Sequence, residues 1–510
     1  MALVRLAHCT LGVSHYSLSV LAGRSRMLRV CARRLLCTSS TGSHKSGNFD
    51  PDKVIRVTEG NSIKRVWKIL RDDVTKLPGQ SVADIKVPYE TDIVIIGGGI
   101  MGSAIAYWLK QRNPKGFTCT VVEQDPKYTQ ASTVLSVGGI RQQFSSPENI
   151  QMSMFSADFL RNIRKHLSVL DSDPPDIQFN PQGYLFLASE AGVQTLQENH
   201  TIQKEHGAKV VLLNESQLKS KWPWLHTDGV VMGSYGVENE GWFDPWSLLS
   251  AFKKKAMSLG VQYIKGEVVG FEFEKIEGAM LAETDEPYMK SKNVLIKADD
   301  DNVYPLQFAI CVNACGHNAG SVAKMAGVGA HKTHSVLKVG LPVEPRKRYV
   351  YMVHAPTGPG LDCPVLIDSS GSYLRREGLA GNYLMGASPA SDDEPDTSEL
   401  TVDYDFFNNR VWPEIAHRCP DFEELKLKSA WAGYYDYNTL DQNVIIGPHP
   451  VHGNFIFANG FSGHGIQQAA AVGRAVMEVL FDGGYKTIDL TRFGFERVID
   501  NRPQFEKCVV

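Results

Sequence analysis

The sequence predicts two kinds of architecture in one chain, an α/β domain of parallel strands and a β-rich antiparallel domain of the α+β type. A continuous apolar run at 92–96 breaks into glycines, a helical pattern follows, and a second strand-like run comes at 118–123. Alternating stretches such as GYLFLAS, RYVYMVHA and NYLMGAS recur later. Continuous apolar runs are typical of parallel strands buried on both faces, whereas alternation is typical of antiparallel strands with one solvated face.

The glycines after the first strand follow the pattern GxGxxG, at Gly97, Gly99 and Gly102. The first permits a tight turn, the second lets backbone amides approach a pyrophosphate, and the third allows the helix to pack closely on the strand. The helix N-terminus adds a positive field. Glu123 follows about twenty residues on, where a carboxylate binds the ribose hydroxyls of an adenosine. This order predicts a Rossmann-type dinucleotide site, and the acid disfavours NADP.

The N-terminal stretch has the composition of a mitochondrial transit peptide. Its first acidic residue is Asp50, and arginines recur before it, at Arg5, Arg24, Arg26, Arg29, Arg33 and Arg34. We expect a transit peptide at 1–45, with cleavage between Cys37 and Lys45. The expected location is the mitochondrial matrix, and attachment to the inner-membrane surface stays open.

Composition narrows the function classes. With 43% apolar residues and a net charge of −3, the chain has no polybasic surface that would predict a nucleic-acid partner. The nine cysteines contain no CxxC pair, so neither a disulfide framework nor a zinc site is indicated. No run of about twenty apolar residues is free of glycine and charge, which disfavours a transmembrane helix.

An N-terminal extension at 46–88 precedes the first strand. Within it, residues 60–77 have helical spacing, with Ile63, Val66 and Leu70 on one face and lysines and arginines on the other. The pattern favours a helix that packs on its own domain. A helix that docks on a partner or on a membrane surface is the alternative.

A second glycine turn lies far downstream. The strand-like stretch NFIFANG leads into Gly460, Gly463 and Gly465, and an Ala-rich helix follows from Ile466 to Leu480. Bare amides and a positive dipole end suit the negative charge that develops at N1 and O2 of a reduced isoalloxazine. A nicotinamide enzyme needs no such site, so this turn favours FAD over NAD.

Over nearly all of 90–490 the chain resembles the D-amino-acid oxidase superfamily, particularly its sarcosine oxidase and dimethylglycine dehydrogenase branch. The resemblance is carried by ASTVLSVGGIRQQF, by EGWFDPWSLLSAFKKKAMSLGVQYIKGEVVGFEFE, by FAICVNACGHNAG, and by TLDQNVIIGPHPVHGNFIFANGFSGHGIQQAAAVGRAV. It implies a Rossmann-type FAD-binding domain and an antiparallel substrate domain that roofs the flavin. The expected FAD-binding residues are Gly97, Gly98, Gly99, Ile100, Met101, Gly102, Glu123, Ser132, Arg141, Val268, Gly463, Gly465 and Ile466.

The resemblance also implies how the chain is divided. The expected segments are a transit peptide (1–45), the extension (46–88), three FAD-domain pieces (88–150, 240–335, 425–490), two substrate-domain pieces (151–239, 336–424) and a C-terminal tail (491–510). The stretch from 283 to 305 carries charge and turn residues between strand-like pieces and predicts an exposed hairpin.

The implied chemistry is oxidation of a C–N bond in a small amine, with an N-methyl amino acid as the model substrate. Such sites require a cationic anchor for the substrate carboxylate. Arg375 and Arg376 lie on a strand that should roof the ring, and alternation sends only one of them inward. Resemblance favours Arg375 as the catalytic anchor, with Arg141 serving flavin or backbone. His464 is the candidate general base, and a packing role is its alternative.

Departures from the family narrow these expectations. The position of a flavin-linked cysteine falls at or beside Gly433, and ASTVLSVGGIRQQF contains no histidine, so FAD is expected to be non-covalent. Phe144 and Gln467 replace carboxylate-binding basic residues, which disfavours sarcosine. The tyrosines of the stretch SAWAGYYDYNTLD could line the substrate pocket instead, at Tyr434, Tyr435 and Tyr437.

Within the superfamily the chain resembles mitochondrial members associated with assembly of respiratory complex I. That implies partners among complex I subunits or assembly intermediates. Two functions are therefore expected from the sequence. One is an FAD-dependent dehydrogenase of amines or amino acids, acting in complex I assembly, and the other is a non-catalytic flavin-bound scaffold.

Overall fold

The computed structural model describes residues 87–170, 172–390 and 392–508. The expected transit peptide, the helix at 60–77 and all but the last two residues of the 46–88 extension lie outside these ranges. Within them no helix is both long enough and apolar enough to cross a bilayer.

Eighteen strands belong to the described part of the chain. In order they are β1 Glu90–Ile96, β2 Cys119–Glu123, β3 Gly139–Ile140, β4 Tyr184–Ala188, β5 Val210–Asn214, β6 Met232–Gly236, β7 Gly241–Trp242, β8 Gln262–Lys265, β9 Glu267–Met280, β10 Pro287–Lys297, β11 Val303–Asn313, β12 Val343–His354, β13 Val365–Ile367, β14 Ser372–Glu377, β15 Asn382–Ala387, β16 Lys426–Asn438, β17 Ile445–Pro448 and β18 Phe455–Asn459.

Helices connect these strands. The α-helices of the described residues are α1 Ile100–Arg112, α2 Ser132–Leu135, α3 Pro147–Arg161, α4 Ile163–Leu167, α5 Val193–Glu205, α6 Glu215–Lys221, α7 Pro245–Ser258, α8 Ala319–Met325, α9 Tyr404–Phe406, α10 Trp412–Arg418, α11 Gly465–Phe481 and α12 Glu496–Ile499. A π-helical turn joins α9 to α10 at Phe407–Val411. Short 3-10 turns occur at Gly316–Asn318, Gly360–Asp362, Pro420–Phe422 and Thr491–Phe493.

The first sheet has the order β17-β18-β11-β1-β2-β8, and β10 and β9 extend it from β11. Its centre is parallel, because β1 pairs in parallel with both β2 and β11. The predicted hairpin forms there, since β10 pairs antiparallel with both β9 and β11. The apolar run of β1 is buried from Ile93 to Ile96, as a central parallel strand requires.

Helices α1 and α11 cover one face of this sheet and contact each other closely. Gly473 makes this approach feasible, because a Cβ on it would lie 2.8 Å from the backbone carbonyl of Ala104. The Trp108 indole N–H also donates to the carbonyl of Ala470 at 2.9 Å. The two helices that begin at the two glycine turns therefore pack directly against each other and are joined by a hydrogen bond.

The second sheet has the order β16-β12-β15-β14-β13-β4-β6-β5 and is antiparallel except where β13 runs parallel to β4. All three alternating stretches named above lie in it, on β4, β12 and β15. The α/β plus α+β fold class predicted from the sequence is confirmed.

The boundary placed at 425 needs a correction. Strand β16 was assigned to the third FAD-domain piece, but it pairs with β12 from Val343↔Asn438 to His354↔Lys426 and so belongs to the second sheet. The first sheet resumes only with β17. The reason is tertiary, because the backbone hydrogen bonds of β16 are satisfied by β12, a strand about eighty residues earlier in the chain, rather than by the strands that follow β16 in sequence.

Candidate functional site

The first glycine turn is fixed by close backbone contacts. Gly97 has φ +97°, and a Cβ there would lie 2.4 Å from the carbonyl oxygen of Ala314. A Cβ on Gly102 would lie 1.9 Å from the carbonyl oxygen of Gly97, so α1 passes directly over the turn. Gly99 differs, because a Cβ there would meet nothing closer than 3.4 Å. Gly97 and Gly102 are required by the fold, whereas Gly99 leaves space for a ligand.

Glu123 stands at the end of β2 beside this turn. Its carboxylate accepts hydrogen bonds from the amides of Gly98, at 2.7 Å, and Asp125, at 2.8 Å. Burial raises the pKa of the carboxyl group, and these two amides oppose the shift. The carboxylate also lines the cavity described below, where a ribose hydroxyl can reach it.

The second glycine turn is held by the second sheet. The buried carboxylate of Asp436 on β16 accepts hydrogen bonds from the amides of Gly460, at 2.7 Å, and Phe461, at 3.2 Å. The Ser462 amide donates to the Asp436 carbonyl at 2.9 Å. Burial raises the pKa of the Asp436 carboxyl to about 6, against the effect of the two amides. Although Asp436 appears in no glycine motif, it fixes the turn.

Helix α11 begins at this turn, and no side chain caps its N-terminus. The first amides of a helix have no partner within the helix, so those of Gly465 and Ile466 are available to the cavity. Gln467 lines the cavity as well, and its side-chain oxygen accepts a hydrogen bond from the Arg141 amide at 2.9 Å.

One continuous cavity of about 820 Å³ joins the two turns. At one end lie Gly97, Gly99, Glu123 and Val268, and at the other Arg141 and Gly463. The second sheet supplies the roof, which is lined by Tyr184, Arg348, Val350, Val365, Ile367, Tyr373 and Tyr435. Two helix N-termini, an open glycine and a ribose-directed carboxylate therefore face one cavity, and this arrangement fits FAD.

The structure brings together most of the residues predicted from the sequence. Those that line the cavity are Gly97, Gly99, Ile100, Met101, Glu123, Ser132, Arg141, Val268, Gly463, His464, Gly465 and Ile466. Gly98 and Gly102 lie behind the lining, where they contact Glu123 and Gly97. Arg375 is not part of the lining.

The role of Arg375 needs a correction. Alternation does place it on the same strand face as Tyr373, which lines the cavity. Its guanidinium, however, is buried behind the roof and donates to the carbonyls of Val137 and Arg376 and to the carboxylate of Glu377, at 2.5 Å. These neighbours hold Nε and Nη1, and Arg375 is absent from the cavity lining, where the structure places Arg348 instead.

His464 also needs a correction, because its environment opposes base catalysis. Burial and the nearby charge of Arg141 lower the pKa of the imidazole to about 3. Its Nε2 lies 3.1 Å from the Arg141 guanidinium, which can only donate, so Nε2 accepts. A general base needs a pKa near the working pH and a free lone pair. His464 instead holds Arg141.

Arg141 is a buried cation whose hydrogen-bond partners in the described structure are all uncharged. The guanidinium donates to the carbonyls of Gln143 and Cys508 as well as to His464. Its carbon lies 4.3 Å from the ring centre of Phe144. No ion pair of the described residues includes it. Among the described residues Arg141 therefore has no salt-bridge partner beside the N-terminus of α11. The buried acid whose carboxyl pKa its charge lowers, Glu240, is hydrogen-bonded to Gln142 and Gln143 instead.

Sequence reasoning missed Arg348. It lies on β12 in the roof, stacks 4.9 Å from the ring centre of Tyr435, and makes a bidentate ion pair with Glu394, both bonds at 2.8 Å. Its Nε has no hydrogen-bond partner among the described residues. The RYVYMVHA pattern identified the strand, but it is the cavity lining, which includes Arg348 and Val350 of β12, that shows the inward face.

Two residues of the cavity lining, Gly433 and Cys315, indicate whether a side chain could be linked covalently to the flavin. Gly433 lines the cavity, with its Cα–H side facing Leu135. Cys315 is the cysteine that lines the described cavity, and it lies near Glu123 at the nucleotide end. Its thiol donates to the Ile96 carbonyl at 3.2 Å, and burial raises the pKa of the thiol. A protonated, hydrogen-bonded thiol at that end is not placed to attach a flavin ring.

A Rossmann-type sheet, two helix N-termini at one elongated cavity and an antiparallel roof define the class of dinucleotide-binding flavoproteins. The family described as FAD dependent oxidoreductase matches residues 92–479. The chain belongs to this family, the D-amino-acid oxidase superfamily, and FAD is its cofactor.

Individual proteins with similar sequences or folds carry names consistent with this family. FAD-dependent oxidoreductase domain-containing protein 1 of Xenopus laevis is 55% identical over 428 residues, which cover 83% of this chain and 85% of that protein. The Bos taurus protein of the same name is 50% identical over 431 residues, 83% of this chain and 88% of its own. Among solved structures, L-proline dehydrogenase from P. horikoshii is similar with a TM-score of 0.67 and 28% identity, over 82% of this chain and 100% of that one.

Proposed function

We propose that this FAD-dependent oxidoreductase oxidises a C–N bond of a small amine or amino acid. The observation that carries the proposal is the buried guanidinium of Arg141 beside the N-terminus of α11, which has only uncharged hydrogen-bond partners among the described residues. Both features favour negative charge at the ring end of the cavity, and neither is needed merely to bind the adenosine half. A cofactor that only stabilised the fold would not require a buried cation there.

The residues that line the cavity indicate which roles belong to the cofactor and which to the protein. Bound FAD supplies a hydride acceptor, and its ring system gains negative charge on two-electron reduction. Arg141 and the amides of Gly465 and Ile466 stabilise that charge. The roof residues Val350, Val365 and Ile367 exclude water above the ring. Tyr373 and Tyr435 supply aromatic surface for the substrate's carbon skeleton.

The proposed anchor for a substrate carboxylate is Arg348 rather than Arg375. Arg348 presents a charged group to the cavity, and the Glu394 carboxylate occupies it. Because Glu394 already supplies bidentate carboxylate geometry, a substrate carboxylate would bind in its place. L-proline dehydrogenase, whose fold this chain shares, is by name a C–N dehydrogenase, and cyclic imino acids belong in the test panel with N-methyl amino acids.

The test is anaerobic bleaching of the bound flavin by that panel, because reduction without oxygen reports chemistry regardless of the electron acceptor. We expect at least one compound to bleach the wild-type protein. Glu394→Gln should lower the concentration required, since it weakens the competing ion pair. Arg348→Met, which keeps the chain length but removes the charge, should raise it tenfold or more. Absence of bleaching in wild type and Glu394→Gln alike would contradict amine oxidation.

A non-catalytic scaffold is the second candidate, and the Arg348–Glu394 ion pair is the observation that favours it. A roof cation neutralised by the protein's own carboxylate leaves no free substrate anchor. The scaffold would retain FAD because a tight native-state ligand stabilises the fold.

We also propose that the protein acts in mitochondria, in assembly of respiratory complex I. The arginine-rich stretch before Asp50 supports the location, and the family resemblance supports the role. The expected partners are complex I subunits or assembly intermediates, with peripheral contact to the inner membrane. Cells that lack the protein should be complemented by wild type. Arg348→Met would complement equally well if the role is scaffolding, and poorly if catalysis is required.

FAD should be bound non-covalently. Acid denaturation of the purified protein should release all flavin into the supernatant, because Gly433 replaces the flavin-linked cysteine of the family and Cys315, the cysteine of the described cavity lining, lies at the nucleotide end. Flavin that stayed with the precipitated protein would show that a side chain of the ring end is linked to it.

A further inference from the structure

The last residues of the described chain return to the ring end of the cavity. Residues 504–508, here named the C-terminal strap, contain Glu506, a buried carboxylate in a segment whose neighbours Phe505 and Lys507 are exposed. A buried carboxylate is stable only if it is well hydrogen-bonded, so its partners show what the strap is built to hold.

Both oxygens of Glu506 are used. One accepts the amides of Ser145, at 2.7 Å, and Cys508, at 3.0 Å. The other accepts from the Asn149 side chain at 2.9 Å. Asn149 in turn accepts from Gln468 of α11 at 3.0 Å. The carboxylate therefore ties the strap both to the loop that follows Arg141 and to the helix whose N-terminus faces the flavin.

The bond from Glu506 to the Cys508 amide holds the peptide unit that joins Lys507 to Cys508. The carbonyl oxygen of Cys508, which lies in the next peptide unit, accepts a hydrogen bond from the Arg141 guanidinium. With Gln143 and His464 it completes the set of acceptors around Arg141. These acceptors are neutral, so they orient the guanidinium without cancelling its charge. A carboxylate in the same place would orient it equally well but would remove the positive field.

We propose that the C-terminal strap is part of the flavin site and that Glu506 is a positioning residue acting through Arg141. The strap keeps Arg141 directed at the ring end, where its charge favours the reduced state of bound FAD. This inference uses the family's cofactor and does not depend on which substrate is oxidised.

The experiment compares Glu506→Ala, Arg141→Gln and the double variant with Phe505→Ala, a control on the same strap whose exposed side chain lies outside the site. The midpoint potential of bound FAD is measured by equilibration with redox dyes, without substrate. FAD affinity is measured by fluorescence and stability by melting temperature. Failure to find a substrate would leave these measurements intact, so the two proposals can fail separately.

Arg141→Gln should weaken the preference for reduced FAD at least tenfold, which is about 30 mV for a two-electron couple. Glu506→Ala should weaken it about threefold, and Phe505→Ala should leave it unchanged. In the Arg141→Gln background, Glu506→Ala should have no further effect, because the residue acts through Arg141. Equal effects of Glu506→Ala with and without Arg141, or a lower melting temperature at an unchanged potential, would overturn the proposal.

Should Glu506→Ala fail to fold, truncation after Glu506 removes the Cys508 carbonyl while the buried carboxylate stays. The truncated protein should show the same loss of preference for reduced FAD, and an unchanged potential in it would overturn the proposal.

Discussion

The two ends of the cavity are built in different ways. The core of the nucleotide end comes from one contiguous stretch, 91–123, in which strand, turn, helix and acid follow one another, and Val268 and Cys315 join it from later in the chain. The ring end is assembled from segments far apart in the chain, including Arg141, Asp436, the turn at 460–465 and Cys508. A local motif can make a binding cradle by itself, but the charge environment of a redox ring here requires the whole fold.

The largest expected effect is at the nucleotide end. Gly99→Glu places bulk and negative charge in the open space meant for the pyrophosphate, so FAD affinity should fall more than a hundredfold, about 2.7 kcal/mol. The control is Gly453→Glu, at an exposed glycine whose Cβ would meet nothing within 4 Å. Flavin content of the purified proteins is the measurement. A fully yellow Gly99→Glu protein would refute the cradle.

The second-largest effect is expected at the ring end, from Asp436→Ala. It leaves the buried amides of Gly460 and Phe461 unsatisfied, each at a cost of about 1–3 kcal/mol, so the free energy of unfolding should fall by about 2 kcal/mol or more. FAD affinity should fall with it. Both amides donate to the same oxygen, so Asp436→Asn can keep them satisfied and serves as the control. Equal losses in the two variants, measured by chemical denaturation, would show that the charge matters rather than the acceptor.

A pH experiment tests whether the buried His464 stays neutral in the folded protein. Its pKa falls from 6.5 to about 3 on folding. The unfolded chain therefore binds a proton below pH 6.5 that the folded protein does not, and stability is lost as pH falls through that window, at up to about 1.4 kcal/mol per pH unit.

His464→Gln should remove this one contribution to the acid sensitivity of unfolding between pH 6 and pH 4. His449, whose pKa is also lowered by burial to about 3, is the comparator. Its replacement by Gln should flatten the profile equally without changing FAD affinity. An unchanged slope in His464→Gln would mean that the imidazole titrates normally in the folded protein.

The smallest effect is expected at Thr133, whose hydroxyl accepts the Ile100 amide at the start of α1, at 3.1 Å. Thr133→Val keeps the shape and removes this bond, so stability should fall by about 0.5–1.5 kcal/mol. Thr201→Val, on a helix surface, is the matched control. A greater than tenfold loss of FAD affinity in Thr133→Val would show that the hydroxyl contacts the cofactor directly.

Much of the fold was predictable because each local pattern agreed with its tertiary context. The apolar run of β1, the glycine spacing and the acid at Glu123 all describe a single βαβ unit, and the structure forms it. The alternating stretches predicted the second sheet because their local pattern also agrees with the antiparallel pairing in the structure. The boundary at 425 could not be found this way, because β16 precedes two strands of the first sheet in sequence but has its long partner in β12 of the second sheet.

The candidate site was predictable only in part. The resemblance favoured Arg375 over Arg376, and Arg375 does share a strand face with Tyr373, but its guanidinium bonds to the Val137 carbonyl and the Glu377 carboxylate. The partner of a guanidinium depends on what lies within reach in space. Arg348 lies in a stretch of adjacent basic residues, and no pattern in the sequence distinguishes the one that faces inward.

By itself the sequence determined the dinucleotide cradle, the second glycine turn and the class of cofactor, because backbone freedom at glycine and helix polarity depend on residues near one another. Only the tertiary structure decided the charges around the ring. In the folded protein Arg348 forms an ion pair with Glu394, and the lone pair of His464 accepts a hydrogen bond from Arg141. The other acceptors around Arg141 are also uncharged and include the Cys508 carbonyl. Electrostatic fields and hydrogen-bond partners depend on distances in space, and packing sets those distances between residues hundreds of positions apart.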